Sequence, residues 1–371
     1  MTTDPLTTLE SRLDTTAAGA FLRSVGLQID RGLYGPLVVE DPGEVVRYDR
    51  EAVLLLDDWT HGVGPSPEAV LASLQRGGMH HAGHAGAHHH GGGEAAVFDP
   101  SSPLGADAGD VHHPLYLVNG RPPRDPTVLR ARPGERIRLR IINTAADTAF
   151  RLALGGHRLR VTHADGYPIR PVTGDALLIA MGERYDVQVE LGDGAFPLVA
   201  LAEGKDARAF AVVRTGSGAT PGAGVRPAEL DRWVVTVADL DADRTADLGR
   251  RPVARTHRLV LDGDMRTYRW TINGHAHHGA APLLARQGER VRLQFENRSP
   301  MFHPMHLHGH TFQVRRAGER LPGPRKDTVV VRPLERVTVE LDADNPGRWM
   351  LHCHNAYHQA GGMMTTLAYE R

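Results

Sequence analysis

The sequence predicts an all-β protein built from tandem sandwiches. Three observations point there. Gly and Pro are abundant, at 41 and 25 of 371 residues, and polar turns separate short stretches rich in Val, Leu, Ile and Arg. The length suits two to three domains rather than one. The chain also repeats itself. Val118-Asn-Gly120 matches Ile272-Asn-Gly274, and the run Pro133 to Asn143 (PGERIRLRIIN) matches Gln287 to Asn297 (QGERVRLQFEN), both at a shift of 154. Gly194 to Leu201 matches Gly347 to His354 at a shift of 153. Two successive units therefore look like copies of one β-sandwich.

Taken in order, residues 1–43 contain a partial third copy, in which Leu22-Arg-Ser24 falls opposite His352-Cys-His354, Gln28 opposite His358, and Gly32-Leu33 opposite Gly362-Met363. Residues 1–20 read poorly as strand. Residues 44–215 form the middle unit, opened by the strand Val53-Leu-Leu-Leu-Asp-Asp-Trp59 and closed by strands near 184–213. It carries a Gly/His-rich insert at 75–113 with Met79, His80, His81, His84, His88, His89, His90, His112 and His113. That insert reads as a low-complexity, mobile segment. A Gly/Ala/Pro-rich linker at 216–229 leads to the last unit, 230–371. The formal net charge of −1, with both signs interspersed, indicates neither a nucleic-acid nor a membrane-surface partner. No run is apolar enough to span a membrane. The first residues show neither the basic nor the apolar region of a signal peptide, and one cysteine leaves no intrachain disulfide.

The chemistry concentrates in the last unit. Cys353, the only cysteine, lies in the run Leu351 to Met363 (LHCHNAYHQAGGM), and about fifty residues upstream stands His303 to His310 (HPMHLHGH). A thiolate, a thioether and at least six imidazoles suit copper, for which one Cys, two His and a weak axial Met make an electron-transfer site. In a strand, alternate side chains take opposite faces, so His352 and His354 share one face and Cys353 takes the other. His306 and His308, also two apart, can meet His352 and His354 from the adjacent strand. His303, Cys353, His358 and Met363 then form a mononuclear set, with Gly361-Gly362 letting the loop fold back. A structural zinc site is the alternative, but it explains neither six imidazoles around one thiol nor the Met. The middle copy has Val199, Ala200 and Leu201 where the last has His352, Cys353 and His354. It has Phe150, Ala153 and Gly155 opposite His303, His306 and His308. The fold alone therefore does not require these His and Cys residues.

The motifs HPMHLH and HCH-x3-H-x4-M resemble those of the multicopper oxidases, the family of laccases and bacterial copper oxidases. The resemblance implies cupredoxin-like Greek-key sandwiches and two kinds of copper centre. A type 1 copper at His303, Cys353, His358 and Met363 takes electrons from a small-molecule reductant such as a phenol, an aromatic amine or cuprous ion. Cys353 passes them through His352 and His354 to a type 2/type 3 cluster that reduces dioxygen to water. The cluster of a complete member takes four His-x-His pairs. This chain offers two, His306/His308 and His352/His354, so the reading is of a member lacking most of its first cupredoxin domain, with 26–40 as that domain's closing strand. A neighbouring chain or partner completing the cluster stays open, as do a non-catalytic copper-binding or electron-transfer protein and an inactive truncated fragment. The family resemblance places such a protein in the periplasm or outside the cell.

Other residues carry weaker readings. The insert is either a copper-collecting loop or a solvated one without a role. Asp327 resembles a family position near the mononuclear copper, where a carboxylate orients an imidazole; a surface charge is the alternative. Gln359 stands where bacterial members often carry an acid, and it cannot act as one. His157, His163 and His310 read as structural, His275, His277 and His278 as surface residues, and Met364 as packing.

Overall fold

The computed structural model describes residues 26–371 apart from 39–42, 44–45, 78–102, 106–107, 277–278, 280, 317, 319–320 and 371. Leu22, Ser24, the insert residues Met79 to His90, and His277 and His278 thus lie outside the described residues. No described helix is long and apolar enough to cross a membrane.

Eleven strands form the middle unit: β1 (Arg50–Trp59), β2 (Leu115–Val118), β3 (Thr127–Arg130), β4 (Arg136–Asn143), β5 (Phe150–Leu154), β6 (Leu159–Ala164), β7 (Tyr167–Gly174), β8 (Ala176–Ile179), β9 (Arg184–Glu190), β10 (Ala195–Ala202) and β11 (Ala207–Arg214). After the short β12 (Val234–Val235), a second set follows: β13 (Arg255–Asp264), β14 (Arg269–Ile272), β15 (Leu283–Ala285), β16 (Arg290–Asn297), β17 (His303–Leu307), β18 (Phe312–Arg315), β19 (Arg325–Lys326), β20 (Thr328–Val331), β21 (Arg336–Asp342), β22 (Arg348–Cys353) and β23 (Met364–Tyr369).

The two sets share one topology. The sheet β2-β1-β4-β9-β6-β7 corresponds strand by strand to β14-β13-β16-β21-β18-β19. The sheet β8-β5-β10-β11-β3 corresponds to β20-β17-β22-β23-β15, with β12 added beside β8. Registers agree as well: Val199 pairs with Ala153, and His352 with His306, at the same offset of 153. Leu56 pairs with Asn143 as Leu261 pairs with Asn297, offsets of 205 and 154, so the middle unit has about fifty additional residues between its first two strands. Those residues include the helix α1 (Pro67–Gln75), capped by the Ser66 side chain on the Ala69 N–H with Pro67 in its first turn. Each sandwich closes over its own apolar core, and the cores interlock. Phe302 and Val330 reach into the middle core, while Leu27, Val70, Val111 and Ala146 join the C-terminal one.

Two expectations are corrected. Residues 26–37 are not strand: Gly26–Arg31 forms a 3-10 turn and 32–37 are irregular, while 39–40 lie outside the described residues. The turn stands where the helix α2 (Ala356–Ala360) stands under the alignment of Gln28 with His358. Gly32, at a φ of 79°, redirects the chain after it, with the Trp59 ring so close that a Cβ would touch it. The end of the insert is not a solvated loop either. Val111 and His113 are buried, because Val111 packs in the C-terminal core and the Asp110 and Val111 N–H groups both donate to the Asp147 carboxylate.

A buried charged cluster crosses between the two units. The Lys326 ammonium lies 3.0 Å from Asp165 Oδ2 and 3.2 Å from Glu183 Oε1, and it stacks on the Tyr185 ring. Beside it Arg184 donates to both oxygens of Asp327 at 2.6 and 2.5 Å. Burial would raise Asp327, but Arg184 holds it well below the usual carboxylate range. The Lys326→Met protein should leave two buried carboxylates without their cation and lose about 3 kcal/mol or more of stability, read as a lower urea midpoint at unchanged slope. A loss below about 1 kcal/mol would show that the cluster does not hold the units together.

Candidate copper centre

Strand alternation sorts the C-terminal side chains into two groups. Antiparallel pairing sets Met305 against Cys353 and His306 against His352. Cys353 points into the apolar core with Met305 and Met363, while His306 and His352 face the opposite side.

On the core side, Cys353 Sγ lies 3.7 Å from Nδ1 of both His303 and His358, and the two nitrogens are 3.1 Å apart. All three residues are fully buried. Each imidazole is fixed through its other nitrogen. His303 Nε2 meets Ser299 Oγ at 2.7 Å, and His358 Nε2 meets Asp110 Oδ2 at 2.9 Å, so both Nδ1 atoms are turned toward the thiol. Trp270 packs across His358 at 4.1 Å and edge-on to His303 at 5.2 Å. Asn355 caps α2 by accepting from the Tyr357 and His358 N–H groups, while its own amide donates to Asp147 of the middle unit at 2.6 Å. Met363 is fully buried in the same core. Its N–H donates to the His358 carbonyl and its carbonyl accepts from the Cys353 N–H, both at 3.0 Å. Gly362, at a φ of 124°, makes that return possible. Met364 is half-buried and pairs across to His352.

On the other side four rings gather. His308 Nε2 and His352 Nε2 are 2.9 Å apart, and the His306 ring lies 4.8 Å from His308 and 5.5 Å from His352. His354 stands 5.9 Å from both His306 and His352. His306 Nδ1 is held by the Asp327 carbonyl and Thr328 Oγ1 at 3.1 Å, and His352 Nδ1 by the Cys353 carbonyl at 2.9 Å. Burial pushes His303 and His352 well below the ordinary histidine value and His354 to about 4, so these rings are neutral at pH 7 with a lone pair to give. For His358 burial acts downward, but Asp110 and Cys353 outweigh it and raise it to about 10. Each of these ring-nitrogen pairs, about 3 Å apart, shares one proton, and a metal that displaces that proton fits between the nitrogens. The thiol-containing set fits copper in particular.

Asp327 is near His306, where its Oδ1 lies 3.4 Å from Nδ1, rather than near the mononuclear set, because Arg184 draws the carboxylate toward the middle unit. Several contributors escape a sequence reading. Asp110 reaches His358 across 248 residues, Trp270 and Ser299 carry no motif, and Gly182 matters only through its neighbour. Asn355, directly before a short helix, carries a readable cap signal. His310 is structural, its ring stacked on Tyr369 with Nε2 at 2.6 Å from the hydroxyl. His157, its counterpart in the middle unit, packs on Phe196.

Comparison with known proteins fixes the class. Residues 50–217 and residues 250–371 each match a family model described as multicopper oxidase, and the chain belongs to that family: it is a copper-dependent oxidase. The chain is 50% identical over 363 residues to multicopper oxidase MmcO of Mycobacterium tuberculosis, covering 93% of this chain and 67% of that protein. It is 27% identical to the copper resistance protein A homolog of Pseudomonas syringae, over 93% of this chain and 75% of the relative. The crystal structure of Fet3p, a multicopper oxidase that functions in iron import, superposes with a TM-score of 0.72 at 18% identity, covering 92% of this chain and 70% of that one, and so shares the fold.

A Cβ at Gly182 would lie 2.4 Å from the His354 ring, at a φ of 80°. The Gly182→Val protein should keep the blue absorption of the thiolate site but hold copper beyond the first equivalent about 10- to 100-fold less well. Unchanged retention in equilibrium dialysis would remove His354 from the copper ligands.

Proposed function

We propose that the last unit, residues 230–371, holds both copper centres, and that the middle unit, 44–215, is a scaffold without copper ligands. His303, Cys353 and His358, with Met363 as a weak axial donor, are assigned to a type 1 copper. His306, His308, His352 and His354 are assigned to the type 2/type 3 cluster. The observation that carries the reading is covalent: Cys353 belongs to the thiol set, and its chain neighbours His352 and His354 belong to the other. Bound copper supplies one-electron chemistry at the first site and reduction of dioxygen to water at the second. The chain's own residues provide the rest. Cys353 and its peptide bonds form the link between the sites, Ser299 and Asp110 orient the first pair of imidazoles, and Asp327 and Thr328 orient His306.

The substrates proposed are phenols, aromatic amines or cuprous ion, with dioxygen as acceptor, in the periplasm or outside the cell. Cuprous ion is favoured by the likeness to proteins named for copper resistance. A second reading rests on the ligand count. The described residues bring four imidazoles to the cluster face, two His-x-His pairs, and three coppers sharing four imidazoles would be weakly held. On that count this chain by itself is an impaired oxidase that binds one copper well.

Copper-loaded protein should be blue, and Cys353→Ser should bleach it completely. A colourless copper-loaded protein with an intact thiol would overturn the type 1 assignment.

Titration of the 371-residue monomer should show one tightly bound copper, and oxygen uptake with 2,6-dimethoxyphenol should stay near background. Four tight coppers with full turnover would defeat the impaired reading. Activity confined to an oligomer would show that a neighbouring chain supplies the missing ligands.

A further inference from the structure

Apart from the two copper sets, the described residues form one more buried group of metal-ligating side chains: Asp30, Asp58 and His113. Asp30 lies on the 3-10 turn at 26–31, Asp58 on β1, and His113 just before β2. Their side chains are fully buried. His113 Nε2 is 3.5 Å from Asp30 Oδ1, and Nδ1 is 3.3 Å from Asp58 Oδ2, yet neither approach has hydrogen-bond geometry. Both ring nitrogens and Asp30 Oδ1 are left without a hydrogen-bond partner in a place with no solvent. Such orphaned groups cost about 1–3 kcal/mol each, more for charged ones, unless something satisfies them.

An imidazolium between two carboxylates is the simplest account, and it falls short in two ways. It would turn its N–H groups onto the oxygens, which these nitrogens do not do. It would also leave two buried carboxylates against one positive charge, since the nearby Lys205 ammonium is held by Asp147 at 2.8 Å. The other polar contacts are donors to the carboxylates. Asp58 accepts from the Ala146 and Asp147 N–H groups and from Thr148 Oγ1, and Asp30 accepts from the Tyr357 hydroxyl. Those contacts aim the two acids inward. A divalent cation meets the charge and takes the lone pair of one ring nitrogen, while the other nitrogen keeps its N–H toward the second acid. One ligand atom from each of the three residues lies within 4.8 Å of the other two, a spread that small side-chain shifts close to the roughly 3.3–3.6 Å between donors on a tetrahedral ion.

We propose that Asp30, Asp58 and His113 bind a divalent transition-metal cation, with zinc the best fit, in a structural site separate from the copper centres. One imidazole and two carboxylates suit a borderline-hard divalent ion and disfavour cuprous ion, which takes thiolate or thioether donors. The ion ties the 26–31 turn to β1 and to the entry of β2. Through the Tyr357 hydroxyl on Asp30 it also braces α2, the helix that carries His358. The proposal stands independently of how the copper ligands are assigned.

The test uses the copper-loaded chain, passed over a chelating resin and then titrated with zinc chloride. One zinc per chain should survive a second passage and raise Tm, because the ion binds only the folded state. His113→Gln and Asp30→Asn should each lose that zinc and the rise in Tm, with the blue absorption intact. Affinity should fall by more than the roughly 100-fold that loss of an outer partner costs at a metal. Zinc-edge absorption of the unsubstituted protein should show one imidazole, oxygen donors and no sulfur. Zinc retention that is absent from the unsubstituted chain, or unchanged in both variants, would overturn the site. So would an edge spectrum with sulfur or several imidazoles, which would place the zinc in the thiol site or the His-rich segment. If the variants fail to fold, that spectrum decides alone.

Discussion

The pairing of β17 with β22 is the constraint on which the rest depends. Two antiparallel strands placed side by side, each carrying candidate ligands two residues apart, must send Cys353 one way and His306 with His352 the other. A slip of one residue would exchange the two faces and put the thiol among the imidazoles. The register is pinned by the apolar core that Met305, Leu351 and Cys353 enter, so the same burial that stabilises the sandwich keeps the two ligand sets apart.

Around that pair, the precision of the thiol site comes from hydrogen bonds reaching in from elsewhere. His303 is tethered within its own unit by Ser299, whereas His358 is tethered by Asp110 from the long connection after β1. The helix carrying His358 starts from a cap, Asn355, that is itself bonded to Asp147. In a dry interior such bonds are strong, and each leaves a buried donor unmet if removed. The His354 ring is packed beneath the backbone of Gly182. The middle unit, lacking the copper-type residues of its twin, thus acts as one wall of both centres.

Much of this was legible in the sequence because it is local or periodic. The repeat predicted two sandwiches of one topology, and the observed strand orders and registers match position by position, down to Val199 against Ala153 where His352 meets His306. The two-residue spacing predicted the separation of Cys353 from its neighbours. What escaped is long-range. Nothing in the composition around Asp110 says that it bonds a histidine 248 residues away, and a Gly/His-rich neighbourhood disguised 108–113 as loop when its hydrogen bonds to Asp147 fold it inward. Asp327 was read by analogy beside the wrong centre, because the pull of Arg184 belongs to the interface between units and leaves no local trace. The turn at 26–31 read as strand through the family resemblance alone, whereas Asp30 is anchored on Tyr357 and Gly32 behind it turns the chain away.

The Asn355–Asp147 contact sets a limit on modularity. A cupredoxin cut out as residues 230–371 would keep every residue that touches the thiol, yet lose Asp110, which orients His358, and the anchor that sets where its last candidate-ligand helix begins. Such an excised unit would be a copper protein with a looser, more exchangeable metal rather than a smaller version of the same one. The two sandwiches share one topology, but the geometry of the candidate ligands is the joint property of both, so neither can be transplanted, swapped or redesigned as though the other were packaging.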